Sequence, residues 1–294
     1  MEPIVYFPQQ SWQTEFTAAE QAQGIQDLEE GKVLFFNKLG FELSSHEKLL
    51  ISPQFASPKA KNISFDARSG ELKGTLCEGE NFQQVRALMA RYGEQCQTLV
   101  QNLFPHYHSQ LIVGRTSLRT IEVQGRSNSA KKDDTRLHID AFPATPTGAQ
   151  RILRVFCNIN QNGKERVWHL GEPFAEVAKK FFPQATPPIP GIRSLMKLCK
   201  LTKSFRTTYD HYMLQIHDRM KLDRNYQTSV AKTRFAFPPG STWMVFTDQV
   251  SHAALAGQHL LEQTFYLPYH AMYDQNLAPQ QVLCELAGKR LLPD

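Results

Sequence analysis

His138, Ile139 and Asp140 form an HxD tripeptide, and His252 lies far downstream in a Ser-His-Ala context. Two neutral imidazoles and one carboxylate can occupy one face of an octahedral Fe(II) and leave the remaining positions for a cosubstrate, dioxygen or water. This is the donor set of a mononuclear non-haem iron oxygenase. His138, Asp140 and His252 are therefore the candidate metal ligands and catalytic residues.

HxD is a frequent chance pattern in a chain with 10 His, so its surroundings must raise its weight. On an extended segment, residues two apart point to the same side, so one strand end can present both His138 and Asp140 while Ile139 points away. Residues 240–248 (GSTWMVFTD) form a turn and an apolar, aromatic strand that can deliver His252 to the same pocket. The separation of the ligands is too long for a zinc finger and leaves room for several intervening strands. That suits a barrel-like double sheet.

Such an iron site needs a reductant, usually 2-oxoglutarate, whose distal carboxylate is matched by the fork of an arginine. Related enzymes place that arginine about ten residues after the distal histidine, but here the sequence reads Gln263 and then Thr264. These two residues are kept as cofactor-contact candidates. Arg154 is the first choice for the cation, because it shares a strand face with Phe156 and Asn158 and a buried arginine is costly without an anion. Arg119 and Arg126 are its rivals. Pairing of Arg154 with an internal carboxylate is the structural alternative.

The elements that must hold these residues follow from periodicity. Residues 82–103 carry apolar side chains at helical spacing and stop before Pro105. Residues 111–114 and 117–123 read as strands, 128–134 as a polar loop leading to the HxD segment, and 152–159 as an alternating strand. In that last strand Leu153, Val155, Cys157 and Ile159 share one face. The first 76 residues form a lead-in layer of short strands and a helix. Residues 172–224 form a mainly helical insertion interrupted by prolines, and the whole of 1–294 is expected to be a single domain. Within the insertion, Leu195, Leu198, Cys199 and Phe205 fall on one helical face and Arg193, Lys197 and Lys200 on another. This basic amphipathic pattern fits either a solvated cover over the barrel or contact with an anionic membrane surface.

Composition narrows the classes. The chain has 294 residues, 41% hydrophobic content and a net charge of +5, enough for a full core and too mild a charge to imply nucleic acid. No basic leader with an apolar run and no membrane-length apolar window is visible, so a cytoplasmic protein is expected. The 5 Cys are scattered, without CxxC spacing, and read as reduced thiols. No HExxH, GxSxG, GxxxxGK[ST] or Rossmann GxGxxG motif is present. His106 and His108 read as loop residues, and His211, His217, His259 and His270 as structural histidines, with lining of a substrate site the alternative for His211 and His217.

Residues 136–143 (RLHIDAFP), together with 151–160, 209–221 and 238–255, resemble the Kdo hydroxylases, Fe(II)/2-oxoglutarate-dependent dioxygenases of Gram-negative bacteria. The similarity runs through most of the chain and is weakest in the first 30 residues. It implies an α+β fold with a double-stranded β-helix (jelly-roll, cupin-like) core, surrounding helices and the helical insertion between the metal-ligand strands. It also implies Fe(II), 2-oxoglutarate and dioxygen as cofactors, and lipid A-linked Kdo as the substrate, hydroxylated at carbon 3 to give Ko in the lipopolysaccharide inner core. Asp140 favours hydroxylation, since a halogenase would carry a small residue there to admit halide. A lipid-linked, anionic substrate gives the basic helix near Arg193 a purpose at the membrane surface, and makes Lys131, Lys132 and Arg136 beside the HxD segment candidates for substrate contact, with Lys131 and Lys132 read first as solvent-facing loop lysines. Two other readings of the residues stay open: an iron/2-oxoglutarate hydroxylase of another small molecule or protein, and a metal-free, barrel-like binding module with structural histidines.

Overall fold

The computed structural model describes residues 2–125, 129–191 and 197–292. Eleven strands form two sheets in an α+β arrangement. The strands are β1 (Ile4–Phe7), β2 (Val33–Phe36), β3 (Ile63–Asp66), β4 (Glu71–Lys73), β5 (Ile112–Arg119), β6 (Gln150–Asn158), β7 (Arg166–Pro173), β8 (Thr233–Phe237), β9 (Thr242–Phe246), β10 (Val250–Ala256) and β11 (Leu260–Pro268). The large sheet has the order β1-β2-β9-β6-β11-β5-β3-β4 and the small sheet β10-β7-β8. All neighbours are antiparallel except β1 and β2. The lead-in residues therefore do not stack as a separate layer; their strands extend both edges of the large sheet.

Alternation along the strands divides the interior. On β6, Leu153, Val155 and Cys157 pack outward into an apolar core with Val85, Leu88, Tyr92, Cys96 and Leu99 of the helix Gly79–Leu103. That helix has apolar residues at helical spacing and ends just before Pro105, whose ring cannot continue it. The opposite face of β6 turns Phe156 toward the small sheet, where Trp168, Phe237 and Trp243 join it. Trp243 stacks on Phe237 at 3.9 Å between ring centroids. These aromatics fill one end between the sheets and leave the other end open.

Residues 111–123 read as two strands in the sequence but form the single strand β5. Gly114 is a close-approach residue: a Cβ there would lie 2.8 Å from the Thr264 carbonyl of β11. The insertion contains the helices Phe174–Phe181, Thr208–Leu222 and Arg224–Ser229, so it runs past the expected end at 224 and closes only at β8. The second begins with a capping box in which Thr207 and Asp210 satisfy each other's backbone N–H groups. Asp210 Oδ1 also accepts from Thr147 N at 2.9 Å and Gly148 N at 3.0 Å. The helix start is thus tied to the loop that follows Asp140.

All five cysteines are free thiols. No helix among the described residues is long and apolar enough to cross a membrane.

Candidate active site

The HxD residues lie on an extended segment held from both edges. On one edge, His138 and His252 exchange backbone hydrogen bonds of 3.0 and 2.8 Å, and Asp140 N donates to Thr247 O at 2.8 Å. On the other, the Gln227 side chain takes the place of a neighbouring strand: Leu137 N donates to Gln227 Oε1 at 2.8 Å and Gln227 Nε2 donates to Leu137 O at 2.9 Å. The segment makes only an isolated bridge rather than the strand expected from the sequence. His252 also differs from expectation. It lies within β10, after the Thr247–Gln249 turn, not at the end of the strand Thr242–Phe246.

His138, Asp140 and His252 are buried, and one ligand atom from each falls within 4.8 Å of the others. Each imidazole places Nδ1 against a backbone carbonyl two residues earlier, His138 on Arg136 O at 2.7 Å and His252 on Val250 O at 2.8 Å. A proton on Nδ1 serves those bonds and leaves the Nε2 lone pair free for a metal. Burial is the main cause holding both imidazoles below the ordinary histidine value, so both are neutral donors near pH 7. Burial alone would raise Asp140, but the Arg154 guanidinium and then the two imidazoles outweigh it, and the carboxyl stays below its usual range. The donor set fits a divalent cation: two neutral nitrogens and one buried carboxylate, whose Oδ2 faces the Arg154 guanidinium but makes no hydrogen bond among the described residues.

Beside the triad opens a cavity of about 810 Å³ whose wall includes Arg119, Arg154, Arg166, Trp168, Glu262, Thr264 and Tyr266. Seven Lys and Arg side chains line it against four carboxylates, so it favours an anionic occupant. Trp168 stacks on the His252 ring, with centroids 5.1 Å apart and planes 23° apart, which restrains the imidazole.

The expected cosubstrate residues are distributed unequally. Gln263 faces away from the cavity, accepting from Thr116 Oγ1 at 2.5 Å behind the sheet, whereas Thr264 lines it. Gln263 is thereby removed from the site. Arg126 lies outside the described residues. Arg154 and Arg119 both reach the cavity, but their charges are already matched. Arg154 contacts Asp140 Oδ2 at 3.2 Å and Glu262 Oε1 at 3.0 Å, and Arg119 contacts Glu262 Oε2 at 2.6 Å. Glu262, which sequence reasoning passed over, stands where the usual arginine was sought. Strand β11 runs between β5 and β6, and Glu262 is reached diagonally by Arg119 from one and Arg154 from the other. Burial would raise the Glu262 carboxyl, but Arg119 and then Arg154 outweigh it and keep it ionised.

Arg166 was also missed. It is buried on β7, two residues from Trp168, and donates to the Gly257 carbonyl at 2.9 Å, while its Nε has no acceptor. Gly257 has φ +111, and a Cβ there would lie 2.7 Å from Glu165 O, so only glycine brings that carbonyl to the guanidinium. No ion pair joins Arg166 to a carboxylate among the described residues. Burial and then Arg119 push it down to about 9. Its position on a strand without clear alternation left no sequence signal.

Lys131, read first as a solvent-facing loop lysine, is exposed and pairs with Asp218, and Arg136 is engaged with Asp133 and the Lys221 carbonyl. Lys61, Arg68, Arg115 and Lys203 supply the cavity's outer positive charge instead. His217 is nearer the site than a remote structural residue would be, its ring 5.6 Å from that of His138, with Nδ1 3.0 Å from Asp218.

A family model described as 3-deoxy-D-manno-oct-2-ulosonic acid (Kdo) hydroxylase matches residues 11–290. The crystal structure of the Kdo hydroxylase KdoO, a non-haem Fe(II) alpha-ketoglutarate dependent dioxygenase, in complex with alpha-ketoglutarate and Fe(III) is 47% identical. It aligns with TM-score 0.96 over 99% of this chain and 98% of that one. The cobalt(II) complex of KdoO is 48% identical, with TM-score 0.98 over 100% of this chain and 98% of that one. No curated protein matches the chain.

Proposed function

The chain belongs to the Kdo hydroxylase family of Fe(II)- and 2-oxoglutarate-dependent dioxygenases, and on that premise we propose that it hydroxylates carbon 3 of lipid A-linked Kdo to give Ko. The observation that carries this reading is the juxtaposition of a buried His138–Asp140–His252 donor set with a cation-rich cavity.

The same connectivity supports a double-stranded β-helix. Taking the HxD segment as a strand, successive strands from β5 to β11 alternate between the two sheets except at β7 and β8, which are both in the small sheet. The order β9-β6-β11-β5 faces HxD-β10-β7-β8. The helical insertion enters between β7 and β8, and 1–294 is read as one domain.

His138 and His252 through Nε2, and Asp140 through its carboxylate, would hold Fe(II). Bound there with 2-oxoglutarate and dioxygen, the iron supplies an oxidant that inserts one oxygen atom into a C–H bond while 2-oxoglutarate becomes succinate and carbon dioxide. The protein's part is positional. Arg166, beside Arg119, is assigned to the distal carboxylate of 2-oxoglutarate, because it is a buried guanidinium in this wall with no carboxylate ion pair among the described residues. Arg154, itself held by Glu262, keeps Asp140 oriented and ionised. Lys61, Arg68, Arg115 and Lys203 face the acidic sugar and its phosphate-bearing carrier from the outer wall. A lipid-linked acceptor places the enzyme at the cytoplasmic face of the inner membrane.

The test is aerobic incubation with Kdo-bearing lipid A, Fe(II) and 2-oxoglutarate, scored by mass. One added oxygen per acceptor with matching succinate is expected, and His138→Ala or Asp140→Ala should abolish both. Turnover on another acceptor with no mass change on Kdo would overturn the substrate assignment.

A further inference from the structure

Ile189, Leu198, Leu201 and Phe205 are four of the ten large apolar side chains that the described residues leave exposed, and they fall in one short stretch. Ile189 is 65% exposed, Leu198 79% and Leu201 64%. Isolated exposed apolar residues need no explanation, but a cluster does. The cluster is also basic. The sequence carries no Asp or Glu from Val177 to Tyr209, and Lys197, Lys200 and Lys203 are all exposed. Arg193 and Leu195, the remainder of the amphipathic pattern, lie outside the described residues.

Local geometry turns this stretch outward at the cavity mouth. Lys200 adopts φ 54 and donates from its backbone N to Lys197 O at 3.0 Å, closing a turn that carries Leu198. Lys203 N donates to Ala144 O at 3.0 Å and Ser204 Oγ to Pro146 O at 3.2 Å. Ala144, Thr145 and Lys203 themselves line the cavity. Leu201 and Phe205 are therefore carried by a segment fastened to the cavity wall at Lys203 and Ser204.

We propose that this segment docks the protein on an anionic lipid bilayer, with Leu198 and Leu201 entering the headgroup region and the flanking lysines facing lipid phosphates. Apolar side chains bordered by lysines are the composition that binds an anionic interface, each basic residue contributing about 1 kcal/mol near the surface. A second copy of the chain is a poorer occupant, since a self-complementary contact would bring like charges together. The inference rests on the reading that the acceptor is lipid-linked. Its consequence is that the cavity mouth is held at the membrane, so the sugar enters without its lipid leaving the bilayer.

The experiment is flotation of the cobalt-loaded protein with vesicles of phosphatidylcholine alone and of phosphatidylcholine mixed with phosphatidylglycerol. The wild type should float with the anionic vesicles and be released by salt. The double substitution Leu198→Asp/Leu201→Asp should lower partitioning about a hundredfold, the loss of two buried leucines, with cobalt affinity and thermal unfolding unchanged. Absence of flotation, or equal flotation of the variant, would overturn the proposal, as would a wild-type dimer in sedimentation that the variant loses. A water-soluble Kdo glycoside separates the two readings. Flotation without oxygen transfer to either acceptor removes the Kdo assignment and leaves docking standing, whereas transfer to the glycoside without flotation removes docking alone.

Discussion

Arg154 Nη2 lies 3.2 Å from Asp140 Oδ2, so the carboxylate of the metal triad is restrained by a guanidinium on the neighbouring sheet. The other end of that guanidinium reaches Glu262 at 3.0 Å. Breaking a buried pair by removing one partner leaves an uncompensated charge, at a cost of about 3–5 kcal/mol. Arg154→Gln should therefore lower the urea unfolding free energy of the metal-free protein by that amount. A change below about 1 kcal/mol, the scale of an exposed pair, would show that the contact does not bind the two sheets together.

Arg166 has the opposite signature. Its buried charge lacks a carboxylate, so Arg166→Met should leave the metal-free, cosubstrate-free protein as stable as before or more so. The same change should weaken 2-oxoglutarate binding by about 2–5 kcal/mol, measured by calorimetry on the cobalt form, with cobalt affinity retained. Unaltered 2-oxoglutarate affinity would move the anchor to Arg119.

Gln263 is a control for the face of β11. Gln263→Ala should cost about 1–3 kcal/mol of stability by leaving Thr116 Oγ1 without its buried acceptor, while 2-oxoglutarate affinity stays at the wild-type value. A specific loss of cosubstrate binding would place this side chain back in the site.

The histidines set a pH response. His138 and His252 titrate below the ordinary value of 6.5 in the folded protein, so below that pH the unfolded chain binds more protons and stability falls. The metal-free protein should lose stability as pH drops through 6.5 toward the folded values, and cobalt affinity should fall over the same range. Asp140, already ionised there, does not contribute. Urea midpoints at descending pH test this, and the slope should shrink in a His138→Ala/His252→Ala double variant.

The triad was legible in the sequence because its chemistry is local: HxD fixes residue types and parity within three positions, and the alternation of β6 placed Arg154 on the inner face. Counting from His252 to Gln263 failed for a reason of parity. A strand alternates every residue, so a step of eleven rather than ten selects the opposite face, and the inner position belongs to Glu262. Its pairing with Arg119 and Arg154 depended on β11 lying between β5 and β6, an order that no linear pattern encodes. Arg166 was silent because an unmatched buried charge becomes visible only once all possible partners have been placed.

Gln227 hydrogen-bonds both backbone groups of Leu137 from a helix of the insertion. The metal ligand next to it thus depends on a single amide side chain, supplied by a segment that belongs to neither sheet, to cap a strand edge that would otherwise lie open. Here the helix carrying Gln227 is a structural debtor's guarantor: change in the insertion is constrained by the metal centre, and grafting the bare sheets onto another helical cover would transfer the three ligands without the restraint that aligns them.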